Sequence, residues 1–247
     1  MYEPRTYRRL MKRKGMIYFS LTHKETDLYI GVNKENYSPE LPQEVYKWVV
    51  EIREELDLYI QKNKSFLTSL EPLNVDVTAP DIVKKMINAA NSAGVGPMAA
   101  VAGAFSQEIG GRLKLEKGVK EVIVENGGDL YLDVINEITI GIYAGTSPLS
   151  NRIGFKISPE KMPRGVCTSA GTVGHSLSFG KADAVVVISP STFHADTYAT
   201  AIGNKIKSPE DLTSVIEWVQ ELPEVTGIII VVGEKLGIWG EIELIPL

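Results

Sequence analysis

A run of twenty residues in the sequence, 88–107, contains no charged side chain. Twenty uncharged residues are long enough to cross a bilayer. This run, however, consists mostly of alanine, glycine, serine and asparagine, which partition poorly into lipid. Gly94 and Gly96 interrupt it, and Pro97 suits the first turn of a helix. We therefore predict no membrane span, but two helical pieces whose small side chains let them pack closely.

The overall composition is that of an ordinary globular protein. Of the 247 residues, 44% are hydrophobic and 23% are charged, and we expect one domain over residues 1–247 with a sizeable core. A net charge of −5 argues against a dedicated nucleic-acid-binding protein, which usually has a basic domain. Because Cys167 is the single cysteine, internal disulfides and zinc sites built on paired cysteines are excluded.

Residues 1–14 form a basic N-terminal arm with a local charge of +5. The apolar segment of a secretory signal does not follow the arm, so we expect a cytoplasmic protein. Two interpretations stay open for the arm itself. It is either solvated, or it contacts an anionic ligand or partner.

Hydrophobic periodicity predicts a mixed fold of strands and helices. Strict strand–helix alternation is absent, so we expect an α/β fold of the α+β type, with antiparallel sheet regions packed on helices. The predicted helices cover residues 41–62, 80–93, 97–115, 191–205 and 209–222. The predicted strands cover residues 15–22, 26–32, 121–125, 130–134, 138–143, 152–157, 184–188 and 226–232, with further short strands near residue 238 and at 242–245.

Asp196 and Thr200 form the first group of candidate functional residues. In a helix they are four residues apart and share one face. A carboxylate and a hydroxyl are hard oxygen ligands of the kind that Mg²⁺ prefers. The alternative is a purely structural role. In it, the negative charge of Asp196 is stabilised near the positive end of the helix dipole, and the Thr200 hydroxyl donates to a backbone carbonyl of its own helix.

Two further segments carry candidate ligand contacts. Asn126, Gly127, Gly128 and Asp129 lie between two predicted strands, where glycines suit a tight turn whose amides can meet a ligand. Residues 166–180 carry no formal charge and five hydroxyl groups, and such a loop can hold phosphates or simply be a polar surface loop. Within it, Cys167 is more typical of a small buried residue than of a nucleophile.

The order of these motifs resembles the ApbE flavin-transferase superfamily. Asn-Gly-Gly-Asp is followed by Thr-Ser-Ala-Gly and then by Ala-Asp-Thr-Tyr-Ala-Thr-Ala, and Gly-Pro-Met-Ala-Ala-Val-Ala-Gly at residues 96–103 is similar to a compact branch of that superfamily. The likeness covers roughly residues 90–205. It implies a T-fold-like architecture that binds FAD with Mg²⁺ on the pyrophosphate, and transfer of FMN to a threonine or serine of an acceptor protein.

The resemblance also implies roles for individual residues. Asp196 and Thr200 match the magnesium ligands, and Asp196 and His175 match catalytic positions. The residues matched to the flavin-binding surface are Asn126, Gly127, Gly128, Asp129, Thr168, Ser169 and Gly171.

The chain departs from the transferases at two places. Their Ala-Lys-Gly motif corresponds here to residues 101–103, which lack lysine, and their later Asp-Pro-x-Thr-Gly segment is absent. The motifs therefore favour flavin binding over FMN transfer, with FAD pyrophosphatase activity as a further reaction. An alternative is a non-enzymatic accessory protein in sulfur assimilation and homocysteine biosynthesis, with which this branch is associated. Whether the protein is a homodimer stays open.

Overall fold

The computed structural model describes residues 5–171, 179–240 and 242–247. Its strands are β1 (Met16–His23), β2 (Thr26–Asn33), β3 (Val122–Asn126), β4 (Asp129–Asp133), β5 (Ile138–Gly141), β6 (Ile153–Ile157), β7 (Arg164–Ser169), β8 (Ala184–Ser189), β9 (Gly227–Val232), β10 (Lys235–Gly240) and β11 (Glu243–Pro246). Its α-helices are α1 (Leu41–Lys62), α2 (Lys64–Thr68), α3 (Asp81–Ala93), α4 (Val101–Lys117), α5 (Thr192–Lys205) and α6 (Leu212–Val219).

The strands form two antiparallel sheets. The larger has the order β1-β2-β3-β4-β7-β8-β9-β10, and the smaller has the order β11-β6-β5. Strand β7 follows β4 in the large sheet because β5 and β6 leave it to form the small one. The predicted fold class, antiparallel sheets packed on helices, is confirmed.

The large sheet lies between the helices and the small sheet, so its central strands are buried on both faces. In β8, Val185 and Val187 pack with the helices, whereas Val186 and Ile188 pack towards the small sheet. This alternation follows from the two-residue period of a strand. Each such side chain contributes about 1.5–3 kcal/mol when it is fully withdrawn from water.

The predicted amphipathic helix over residues 41–62 is confirmed with the same bounds as α1. Val45, Val49, Ile52 and Leu56 recur at three- and four-residue spacing and are all buried. The uncharged run likewise forms two helices, because α3 ends before Gly94 in the left-handed conformation and α4 follows a short 3₁₀ turn at Pro97–Ala100. None of the helices in the described ranges is long and apolar enough to cross a membrane.

One expectation about the large sheet was wrong. The sequence predicted a loop from residue 166 onward, but Arg164–Ser169 forms strand β7 in the middle of the sheet. Gly165 breaks the β-rich pattern, and it is required because a Cβ there would lie 2.5 Å from the Cα of Thr192. Position 165 therefore requires glycine because α5 packs closely against it. A local sequence pattern contains no information about this long-range contact.

Candidate functional site

Three of the predicted segments meet where α4 and α5 cross above the large sheet. Asp196 of α5 accepts a hydrogen bond at Oδ2 from the Gly103 amide (2.8 Å). Asn126 donates through Nδ2 to the Ala102 carbonyl (3.2 Å). Asp129 accepts at Oδ1 from the Thr168 amide (3.3 Å). The turn after β3, the end of β7 and both helices therefore form one cluster.

Asp196 lies in the second turn of α5, but it serves the first turn of α4. The first amides of a helix have no partner inside it, and Asp196 accepts hydrogen bonds from those of Gly103 and Ala102. Burial raises the pKa of Asp196 from 3.8 to about 7, although these amide bonds act in the opposite direction. The prediction that Asp196 stabilises the start of its own helix was therefore wrong. This acid stabilises the start of the neighbouring helix, α4.

Asp129 is the second carboxylate of the cluster, and it is 7% exposed. Burial raises its pKa well above the usual value, and the nearby charge of Asp196 raises it further. Its backbone carbonyl accepts a hydrogen bond from the hydroxyl of Ser106 in α4 (3.0 Å). The negative charge of Asp196 disfavours ionisation of Asp129, so this pair of acids favours a bound proton or a bound cation.

Cys167 is buried beside these two acids, with Sγ 3.6 Å from the Thr192 carbonyl oxygen. Burial raises the pKa of the thiol well above its usual value, and the charges of Asp129 and Asp196 raise it further. A thiol held in the protonated form is a poor nucleophile. Sequence reasoning identified Cys167 as a buried residue, but it could not place it next to the carboxylates.

Thr200 lies one turn after Asp196 and is partly exposed. Among the described residues its hydroxyl has no hydrogen-bond partner, so the predicted bond back to a helix carbonyl is not seen. Thr197 makes that bond instead, to the carbonyl of Phe193 (3.1 Å). The Asp196 carboxylate and the Thr200 hydroxyl are thus a donor set that suits Mg²⁺.

No group of three or more His, Cys, Asp or Glu side chains in the described ranges is arranged to hold a metal ion. A cation at Asp196 would therefore complete its shell with the Thr200 hydroxyl, backbone carbonyls, water and ligand oxygens. This is how Mg²⁺ usually binds, through one or two carboxylates together with substrate phosphates. The residues present fit such an ion.

The turn between β3 and β4 has the predicted hairpin geometry. Asn126 pairs with Asp129, and Gly127 and Gly128 between them have φ angles of +69° and +106°. Such angles are accessible to glycine at little cost, which explains the Gly-Gly sequence. Gly127 is exposed, whereas Asn126 and Asp129 are buried.

Other predicted ligand contacts lie at the end of β7. Thr168 and Ser169 are both partly exposed. Gly171 donates its amide to the Ala182 carbonyl (2.8 Å), and a Cβ on it would lie 2.2 Å from the Gly180 carbonyl oxygen. His175 lies outside the described residues.

The basic arm is solvated only in part, because Arg9, Lys12 and Lys14 are exposed whereas Tyr7 and Arg8 are partly buried. Arg8 forms ion pairs with Asp27 (2.7 Å) and Glu125 (2.6 Å), and Tyr7 donates its hydroxyl to Glu125 (2.7 Å). These anions are acids of the chain itself, so contact of the arm with an anionic ligand or partner stays a prediction. Sequence reasoning placed Glu125 at the start of the turn segment but assigned it no role and no partners.

Two cavities of about 510 and 730 Å³ lie elsewhere, the first beside α1, α3 and α4 and the second between the two sheets. Neither is lined by Asp129, Thr168 or Asp196. The cluster around Asp129 and Asp196 is the better functional candidate, because ionisable groups with shifted pKa values concentrate at functional sites.

Comparison with known proteins fixes the family. The family model described as "AbpE bacteria" matches residues 8–218. The chain belongs to this family. Among its relatives, a UPF0280 protein of Methanococcus vannielii is 42% identical over 223 residues, 89% of this chain and 88% of the relative. A UPF0280 protein of Methanocaldococcus jannaschii is 41% identical over 224 residues, with the same coverage.

Solved structures share the fold at low sequence identity. The apo form of the flavinyl transferase ApbE from Pseudomonas stutzeri has a TM-score of 0.58 and 14% identity, over 91% of this chain and 94% of that one. The ApbE protein from Thermotoga maritima has a TM-score of 0.58 and 12% identity, over 92% and 97%. The ApbE-like architecture expected from the motifs is therefore confirmed.

Proposed function

We propose that the chain binds FAD together with Mg²⁺ at the cluster around Asp196. The observation that carries the proposal is the buried carboxylate of Asp129 beside the half-buried carboxylate of Asp196. Asp196 lies one helical turn before Thr200, whose hydroxyl has no hydrogen-bond partner among the described residues. Such a pair favours a cation, and a cation recruits a pyrophosphate. Solved proteins of this fold that are named flavin transferases support a flavin as the ligand.

In the proposal, Asp196 and Thr200 hold the cation, and the turn at 126–129 lies beside the flavin. Thr168 and Ser169 offer hydroxyl donors at the edge of the same cluster. Bound Mg²⁺ would neutralise the pyrophosphate and stabilise charge that develops on a leaving phosphate. The packing of Gly103 against α5 helps to orient Asp196, because the Gly103 amide fixes one of its oxygens.

The reaction class that fits this arrangement is cleavage of the FAD pyrophosphate, with FMN passing either to a threonine or serine of an acceptor protein or to water. Flavin binding is the core of the proposal, because residues 101–103 lack the lysine of the transferases. A cytoplasmic location is also part of the proposal. The alternative role in sulfur assimilation gains no support from Cys167, because the thiol is buried.

The direct test is a titration of the purified protein with FAD, followed by flavin fluorescence in the presence of Mg²⁺ and again in EDTA. We expect saturable binding at micromolar protein that weakens at least tenfold in EDTA. Chromatography of the mixture for FMN and AMP then tests the reaction class. Absence of saturable binding under both conditions would contradict the proposal, whereas binding without product would restrict it to a flavin-binding role.

A further inference from the structure

Glu125 is a buried carboxylate that joins the N-terminal arm to the turn of the candidate site. It is 1% exposed and lies in β3, directly before Asn126. Its Oε1 accepts hydrogen bonds from the amide of Gly128 (2.9 Å) and the hydroxyl of Tyr7 (2.7 Å). Its Oε2 accepts one from Nε of Arg8 (2.6 Å). One side chain thus contacts both the turn and the arm.

The arm is itself fixed at a second point, Asp27 of β2. Arg8 donates to Oδ1 of Asp27 (2.7 Å) and to its carbonyl oxygen (2.8 Å). Arg5 donates to the same carbonyl oxygen (2.6 Å). A guanidinium that bridges two buried carboxylates is held in a defined geometry by its fork of donors. Removing it would take the guanidinium from both acids, of which Asp27 would keep its ion pair with Arg5 (3.5 Å) and Glu125 only neutral donors, Tyr7 and Gly128.

The turn needs such support because its two central residues are glycines. Glycine loses more conformational freedom on folding than any other residue. Gly127 and Gly128 are also the more exposed part of the turn. The bond from the Gly128 amide to Glu125 is the contact that restricts them, and the guanidinium of Arg5 lies next to Gly127, 3.4 Å from where its Cβ would be.

We propose that Tyr7 and Arg8 are positioning residues for the ligand site, which fix the turn at 126–129 through Glu125. The effect on a flavin ligand rests on the function proposed above. The effect on the turn is independent of that function, because it concerns contacts within the ligand-free chain. The arm then contributes to ligand binding by holding the turn in place, without any contact between the arm and the ligand.

The experiment compares Tyr7→Phe and Arg8→Gln with a matched control, Arg13→Gln. Arg13 also belongs to the arm and ion-pairs with Glu121, just before β3, at 3.7 Å, but Glu121 does not contact the turn. Two quantities are measured: amide hydrogen exchange at Gly128 in the ligand-free protein, and the Kd for FAD with Mg²⁺. Exchange at amides of β8 reports the global stability of each variant.

We expect hydrogen exchange at the Gly128 amide to accelerate about tenfold in Arg8→Gln and severalfold in Tyr7→Phe, relative to exchange in β8. The reason is that Glu125, the acceptor that protects this amide, is no longer held in place by the substituted side chain. The Kd for FAD should rise by similar factors, while Arg13→Gln behaves as the parent. If Arg8→Gln does not fold, Tyr7→Phe decides the matter, because it loses one hydroxyl and keeps the ring.

Unchanged exchange at Gly128 in Tyr7→Phe would overturn the inference, and so would equal acceleration at Gly128 and in β8. A parent protein that binds no FAD would contradict the proposed function instead, and the exchange data would still decide whether the arm positions the turn. A faster Gly128 exchange with an unchanged Kd would overturn the claim that the positioning serves the ligand site.

Discussion

Asp196 in α5 accepts a 2.8 Å hydrogen bond from the backbone amide of Gly103 in α4. One carboxylate thereby stabilises the start of a neighbouring helix and lies beside a buried acid, Asp129. The two tasks are separable, because an asparagine at position 196 can still accept the amide bond but cannot supply the negative charge.

The first prediction concerns pH. The pKa of Asp196 is raised from 3.8 to about 7 in the folded state, and that of Asp129 is raised as well. Between these pH values the folded state binds more protons than the unfolded state, so the free energy of unfolding should fall as pH rises from 4 to 7. Urea denaturation in EDTA across this range measures the slope.

In Asp196→Asn this pH slope should be markedly smaller, because one of the two acids with a raised pKa is gone. This comparison removes the contribution of acids elsewhere whose pKa is lowered, such as Asp57, which act in the opposite direction. An identical pH slope in parent and variant would show that Asp196 is not the group responsible.

The second prediction concerns the hydroxyl of Thr200. Thr200→Val keeps the β-branched shape and removes an oxygen that has no partner among the described residues. Its effect on the free energy of unfolding should be below about 1 kcal/mol, while the rise in Tm on adding Mg²⁺ and FAD should disappear.

Thr197→Val is the control on the same helix, because the Thr197 hydroxyl is buried and bonds to the Phe193 carbonyl. It should be less stable than the parent but keep the ligand-induced rise in Tm. If both variants keep that rise, Thr200 is not a ligand of the cation.

The third prediction concerns the contact between α4 and α5. A Cβ at Gly103 would lie 2.4 Å from the Thr192 carbonyl oxygen and 2.9 Å from Cβ of Asp196. Gly103→Ala should therefore force the helices apart, reduce the free energy of unfolding by about 1–3 kcal/mol and weaken FAD binding.

Gly111, further along the same helix, has nothing within 4 Å of its Cβ position. Gly111→Ala should stabilise the protein by about 0.5–1 kcal/mol, because alanine favours the helix. Thermal unfolding of both variants measures these changes. An unchanged free energy of unfolding in Gly103→Ala would mean that the two helices can move apart without loss of stability.

Much of the secondary structure could be predicted, because it depends on local patterns. The bounds of α1 follow from its apolar spacing, and the turn at 126–129 follows from its glycines. Strand β7 could not be predicted, because Gly165 and Cys167 are chosen by contacts with α5. The order of strands in the large sheet likewise depends on pairings between distant segments.

The candidate site shows the same division between local and long-range information. Motif order indicated Asp196 and the turn, but not the partners that set their chemistry. Gly103, Cys167 and Glu125 join the site only because α4, β7 and β3 meet there. A sequence pattern carries no record of such distances.

The fourth prediction concerns the reactivity of Cys167. The thiol is buried and its pKa is raised, so it should react with an aromatic disulfide reagent at pH 8 only when urea unfolds the chain. One thiol per chain should then be titrated. Rapid reaction of the native protein would contradict the burial of Cys167 and favour a role in sulfur chemistry.

The central claim is that the charge of Asp196 holds a cation that binds FAD. The most direct test is the Kd for FAD, measured by calorimetry with and without Mg²⁺, for the parent, for Asp196→Asn and for the control Asp133→Asn. Asp133 lies at the other end of β4 and pairs with Lys114 at 3.1 Å. We predict micromolar, Mg²⁺-dependent binding by the parent and by Asp133→Asn, and at least a tenfold loss in Asp196→Asn with its fold retained. Equal affinity and equal Mg²⁺ dependence in all three proteins would contradict the account.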